Sequence, residues 1–291
     1  MIRPAASSVL AIAFWMLVSA IGFAAIMVII RELADDLPIF VLSFWRNMFA
    51  VLLFVPWILR VGISGLKTDR LPMFTLRSLF MVASSIMLFY AAVLIPIGEA
   101  TAITFTSPLF ATVLAVFVLK EKIGWRRGLA LATGFAGMLI ILRPGVEAIS
   151  PGALLAIGAS VLFAYVVILG KQLSSSESPE LVILLLSVIN LPLSLIPALF
   201  VWESPSGDQW LWLIGLGIAA NVNMYGIQRA VSVGEASLTQ VFDFVRLPVS
   251  ALAAWWAFSE VPDKWMWAGA AIIFAAAVYT TRRETQKNAR T

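Results

Sequence analysis

Ten stretches of about twenty predominantly apolar residues follow one another along this chain. They run over 9–30, 37–59, 71–94, 98–119, 125–142, 151–170, 179–201, 209–230, 236–258 and 264–281. A helix needs ~20 such residues to cross about 30 Å of hydrocarbon. Lipid offers the backbone no hydrogen-bond partner, so only helices and closed barrels span it, and barrel strands are half this length and alternate in polarity. The expected fold is therefore all-α and integral to a membrane, with ten transmembrane helices. The first stretch follows Arg3 and contains VSA at 18–20, as a signal peptide would, but its apolar run reaches Ile30. That is too long for a signal sequence, so it counts as span 1. Only 12% of the residues are charged, against about a quarter in a soluble domain, which leaves too little polar surface for a water-soluble fold.

The residue inventory narrows the function. A sequence pI near 9.6 would suit nucleic acid only if basic residues clustered beside aromatics on a soluble surface, and none do. With no cysteine and no histidine, disulfides, Cys/His metal sites and the commonest nucleophiles and bases are all absent. No nucleotide-binding loop is present. Neither an enzyme nor a bound cofactor or metal is expected. The partners are the bilayer and a small-molecule substrate, with a proton or a second substrate as counter-transported species, in a monomer or homodimer.

Charge sets the orientation. With the N-terminus inside, inner segments hold 15 of the 20 Lys and Arg and outer segments hold three, Arg31, Arg143 and Lys264. The remaining two, Arg46 and Arg246, lie within spans. This is a strong positive-inside bias, so both termini are expected in the cytoplasm of a bacterial inner-membrane protein.

The spans also repeat. Pro38 and Pro56 recur as Pro179 and Pro197 at an offset of 141, and Pro108 and Trp125 as Pro248 and Trp265 at an offset of 140. GEATAITFTSP at 98–108 returns as GEASLTQVFDFVRLP at 234–248, with four residues more in the second copy. The chain thus divides into two five-helix units, 1–146 and 147–291. Five being odd, the second unit must lie upside down relative to the first. Inverted repeats are the architecture of secondary carriers, with cargo bound near the midplane where the copies meet.

Polar side chains inside the spans mark candidates for that site. Span 9 carries Thr239, Gln240, Asp243, Arg246 and Ser250 at helical spacing, which places them on one face. Span 8 carries Asn221, Tyr225 and Gln228, span 4 Thr101, Thr104 and Ser107, span 2 Arg46 and Asn47, and span 3 Tyr90. Asp243 is the one carboxylate well inside a span and is the candidate for proton coupling. Arg46 has two partners open to it, Asp243 or an acidic group of the cargo. A guanidinium at the bilayer centre costs from about 3 to well over 10 kcal/mol when left to lipid. Glu99 at the start of span 4 reads as a helix-capping residue near the surface.

The stretch GEATAITFTSPLFATVLAVFVLKEKIGWRRGLALATGFAGMLIILRPG, 98–145, resembles the signature of EamA-type carriers in the drug/metabolite transporter superfamily, and FDFVRLPVSALAAWWAFSEVPDKWMWAGAAIIFAAAVY, 242–279, is its counterpart. The resemblance covers nearly the whole chain. It implies ten helices around a central cavity walled in part by spans 4 and 9. It also implies export of an amino acid-like metabolite as the first expectation. The alternative is import of a larger metabolite such as S-adenosylmethionine or riboflavin, which a subgroup with a similar ninth helix carries. A channel-like facilitator is the remaining alternative, disfavoured because the charges are not symmetric. Arg46 matches an arginine the family often has in its second helix, whereas the repeat places Ser187 in the corresponding position of the second half.

Overall fold

The computed structural model describes residues 6–52, 68–119, 125–143, 149–173, 179–233, 239 and 241–288. Every regular element among them is helical. The order is α1 (Ala6–Leu33), α2 (Ile39–Leu52), α3 (Leu71–Leu94), α4 (Ile97–Thr104), α5 (Ser107–Leu119), α6 (Trp125–Leu142), α7 (Pro151–Leu173), α8 (Pro179–Leu199) and α9 (Gln209–Val233). A 3-10 turn at Asp243–Val245 then leads into α10 (Arg246–Phe258), and α11 (Lys264–Asn288) ends the described chain. Five stretches among the described residues are long and apolar enough to cross a membrane, and four shorter apolar helices accompany them.

Two spans are interrupted where the sequence places a proline. In span 4 the helix tightens, Phe105 N–H bonding Ala102 O at 3.2 Å and Thr106 N–H bonding Ile103 O at 3.0 Å. The hydroxyls of Thr104 and Thr106 take the carbonyls of Thr101 and Ile103 at 2.6 and 2.7 Å. The chain restarts as α5 one residue before Pro108, whose ring cannot donate to the preceding turn. In span 9 the 3-10 turn occupies the matching place, and α10 restarts two residues before Pro248. The expected continuous helix over 98–119 is thus a helix pair with a break at mid-length, and in the described part of 236–258 a 3-10 turn precedes the α-helix at Arg246.

Packing joins the helices of residues 6–143 to those of residues 149–288. The principal pairs are α1 with α9, α3 with α7, α6 with α11 and α2 with α8; α1 also meets α10, α7 meets α4 and α5, α2 meets α9, and α3 meets α8. Glycines permit the closest approaches, as lipid-embedded helices require small residues at their contacts. A Cβ at Gly22 would lie 2.8 Å from Ala219 O, and one at Gly226 2.7 Å from Trp15 O, so α1 and α9 touch backbone to backbone. Between these points Asn223 Nδ2 donates to Ser19 O and Ser19 Oγ, each at 3.0 Å. A Cβ at Gly137 would lie 2.9 Å from Gly269 O, which gives the same intimacy to α6 and α11.

Candidate functional site

The two breaks meet each other. Phe105, in the break of span 4, stacks on Phe244, in the 3-10 turn of span 9, with centroids 4.2 Å apart and planes at 19°. Phe274 of α11 packs edge-on against Phe244 at 4.3 Å. Arg246 begins the helix after the turn, and its Nη2 donates to both oxygens of Asp243. In a 3-10 turn the side chains at i and i+3 eclipse, which aligns these two. The guanidinium lies over the rings of Phe23 at 4.6 Å and Phe105 at 5.7 Å, contacts that supply cation–π attraction. With side-chain exposures of 19% for Arg246 and 28% for Asp243, the ion pair is only partly buried. Arg246 Nε is buried and has no hydrogen-bond partner among the described residues.

Arg46 is the second cationic group. Its Nη2 donates to Asn47 Oδ1 at 2.9 Å, and the guanidinium lies 5.1 Å over the ring of Phe89. Among the described residues no carboxylate bonds it. Asn47 Nδ2 and Ser43 Oγ, both buried, lack partners. Phe23 and Phe89, which face the two arginines, belong to one buried cluster with Ile30, Ile97 and Ala254. The two guanidiniums therefore flank a common aromatic and aliphatic core. The ion pair between Arg46 and Asp243 that the sequence allowed is absent, because Asp243 is taken by its own turn.

The other candidates divide. Tyr90 is half-buried and meets Phe40 edge-on at 5.9 Å, next to Phe89. Thr104 spends its hydroxyl on Thr101 O, while Ser107 is half-buried at the start of α5 beside the break. Asn221 Nδ2 donates to Gly217 O at 2.9 Å and to Ala50 O of α2 at 3.4 Å, which serves helix packing. Tyr225 is exposed, edge-on to Trp15 at 5.5 Å with Arg229 over it at 5.9 Å, and Gln228 is exposed. These three are not brought to the arginines by any contact. Gln240 lies outside the described residues. The sequence reasoning missed Phe23, Phe89 and Phe105, the rings the arginines cover. Of these only Phe105 left a signal, since FTSP at 105–108 aligns with the FVRLP at 244–248.

An interrupted apolar helix whose break touches a 3-10 turn bearing an ion pair in another apolar segment is the kind of arrangement membrane transport proteins use. The chain belongs to the EamA-like transporter family, whose model matches residues 10–143 and 150–282. A riboflavin transporter of Vibrio cholerae is 34% identical over 283 residues, covering 96% of this chain and 95% of its own. An S-adenosylmethionine uptake transporter of Rickettsia felis is 30% identical over 276 residues, covering 95% and 94%. A solved crystal structure superposes with a TM-score of 0.59 at 20% identity, covering 91% of this chain and 98% of that one, a likeness of fold. The protein is a membrane transporter of a small metabolite, not an enzyme.

Proposed function

We propose that the protein imports a metabolite built on a planar fused heterocycle with a hydroxylated tail, by alternating access between two inverted five-helix halves in the bacterial inner membrane. The observation that carries the proposal is the match, over nearly the full length of both chains, to transporters named for riboflavin and for S-adenosylmethionine uptake. Those cargoes share a flat ring system joined to a sugar or sugar alcohol. Arginine guanidiniums backed by buried phenylalanine rings suit such a system, because a guanidinium offers a flat face and a fork of donors. The uptake named for one relative favours import over the export first expected.

The helix pairing supports the inverted architecture. Exchanging the first five spans for the last five turns the α1–α9 contact into α7–α3, the α2–α9 contact into α8–α3, and α1–α10 into α7 with α4 and α5, all of them observed pairs. On this reading Arg46, with no carboxylate bonding it among the described residues, meets the cargo. Asp243 is the coupling group, since taking up a proton would release Arg246. Both termini lie in the cytoplasm, as the basic residues indicate. A thermal-shift series on purified protein tests the cargo class, because a ligand at ~100 times its Kd stabilises the folded state by about 2.7 kcal/mol. Riboflavin or S-adenosylmethionine should raise the melting temperature by several degrees and amino acids should not. A rise with amino acids alone would overturn the reading.

A further inference from the structure

Glu260 makes contacts at one end of the bundle that the transport site does not account for. One carboxylate oxygen accepts from Arg31 Nη1, near the C-terminal end of α1, and the other accepts from the backbone N–H of Ile97, the first residue of α4, at 3.0 Å. Arg31 in turn lies over the ring of Phe258, the last residue of α10, at 5.0 Å. Ser259, with φ of 56°, ends α10 in the left-handed conformation; its N–H bonds Trp255 O at 2.9 Å and Glu260 N–H reaches back to Ala254 O at 3.4 Å. This terminal motif caps the helix and turns Glu260 across the bundle end. One carboxylate thus ties together α1, α4 and α10, the first two from one half of the chain and the third from the other.

The same three elements meet again deeper in the bundle, where Arg246 opens α10 and covers Phe23 of α1 and Phe105 just after α4. From Arg246 to Phe258, α10 rises roughly 18 Å, about half a bilayer. Between these two levels the column is filled: Ile30, Ile97 and Ala254 are 0, 0 and 1% exposed and belong to the cluster that holds Phe23 and Phe89. The route from the arginines toward Glu260 is therefore shut in this conformation. Any cargo passing that way must part α1 and α4 from α10, and the Glu260 contacts are what crosses that seam at its rim.

We infer that Glu260, bonded to Arg31 and to the Ile97 N–H, is a latch that closes one end of the transport path and must open once in each transport cycle. The inference rests on the alternating-access reading, and the charge bias assigns the latched end to the outside. Glu260 is a positioning residue here; it touches no cargo.

The chain has no cysteine, so a single Ala254→Cys replacement reports on the buried column through its reaction with a membrane-impermeant maleimide. The reagent is applied to the outer face of whole cells and, separately, to inverted vesicles. With the latch intact, labelling should be slow from both sides. Glu260→Ala, which removes both bonds, and Arg31→Gln, which leaves the bond to Ile97, should each raise the rate from outside by tenfold or more, with the larger effect for Glu260→Ala. If Glu260→Ala fails to fold, Arg31→Gln decides. Ligand binding to the purified Arg31→Gln protein should persist while the uptake rate changes. Labelling that stays slow from both sides in a folded variant overturns the latch. A rise confined to the inner face keeps the latch and overturns the orientation. A rise from outside, with no heterocycle bound by any variant, keeps the latch and overturns the proposed cargo.

Discussion

Arg46 and Arg246 carry the same charge into the same core and are stabilised differently. Arg246 has a carboxylate three residues away, delivered by a 3-10 turn, and two ring faces. Arg46 has a neutral amide and one ring face. Removing Arg46 therefore leaves no carboxylate unpaired, so Arg46→Ala should retain its melting temperature within a few degrees yet lose at least tenfold in affinity for the cargo, read by titration of the purified protein. A loss of fold instead would return Arg46 to a structural role. Asp243→Asn, in contrast, leaves a cation uncompensated and should cost about 1–3 kcal/mol, moderated by the partial exposure of the pair. The double change Asp243→Asn with Arg246→Gln should recover most of that loss in a thermal melt. The sequence disclosed all three ionic groups, since each interrupts an apolar run. The three-residue spacing of Asp243 and Arg246 left open whether they neutralise each other, and the structure makes that pair. The spacing did not disclose the 3-10 turn that aligns them, because it was taken at a constant 3.6 residues per turn. The turn at 243–245 changes that phase, leaving Ser250 fully buried while Asp243 stays partly exposed.

Each broken span owes its break to a proline acting with its neighbours. Pro108 and Pro248 withhold an N–H, and in span 4 the hydroxyls of Thr104 and Thr106 take up backbone carbonyls beside the break. The prolines were visible in the sequence, and the site of each irregular turn, two or three residues before Pro108 and three to five before Pro248, was not, because it depends on which side chains can satisfy the freed backbone. Pro248→Ala should let the turn regularise toward α-helix. That would displace Asp243 from Arg246 and slow transport more than it lowers stability, measured as uptake rate beside melting temperature. The glycine contacts behave in the opposite way. Gly226→Leu drives a side chain into the α1 backbone at Trp15 and Ser19, and overpacking of this kind costs about 1–3 kcal/mol or more. Its melting temperature should fall, whereas Gly128→Ala, with nothing within 4 Å of the added Cβ, should leave it unchanged.

For the whole molecule, the apolar runs and the repeated prolines disclosed a helical membrane chain in two related units, because burial in lipid and repeat spacing are properties a single sequence carries. The cargo was legible only as an alternative: FDFVRLP at 242–248 resembles the ninth helix of a subgroup that imports S-adenosylmethionine or riboflavin, and relatives named for those two cargoes match, while the first expectation of export was not confirmed. Rings such as Phe23 and Phe89, which lie under the two arginines, look in the sequence like any other core residue, and direction of travel leaves no local mark. Orientation can be checked with reporter fusions: at Thr291 the reporter should read cytoplasm, and at Ala148 the outside. The central claim is inward transport of a planar heterocyclic metabolite. The most direct measurement is time-resolved uptake of radiolabelled riboflavin and of radiolabelled S-adenosylmethionine by cells expressing this chain, beside cells expressing Arg46→Ala. The account predicts saturable accumulation of one of the two and its loss in the variant at equal expression. Accumulation of neither, together with accelerated efflux of preloaded amino acids, would contradict it.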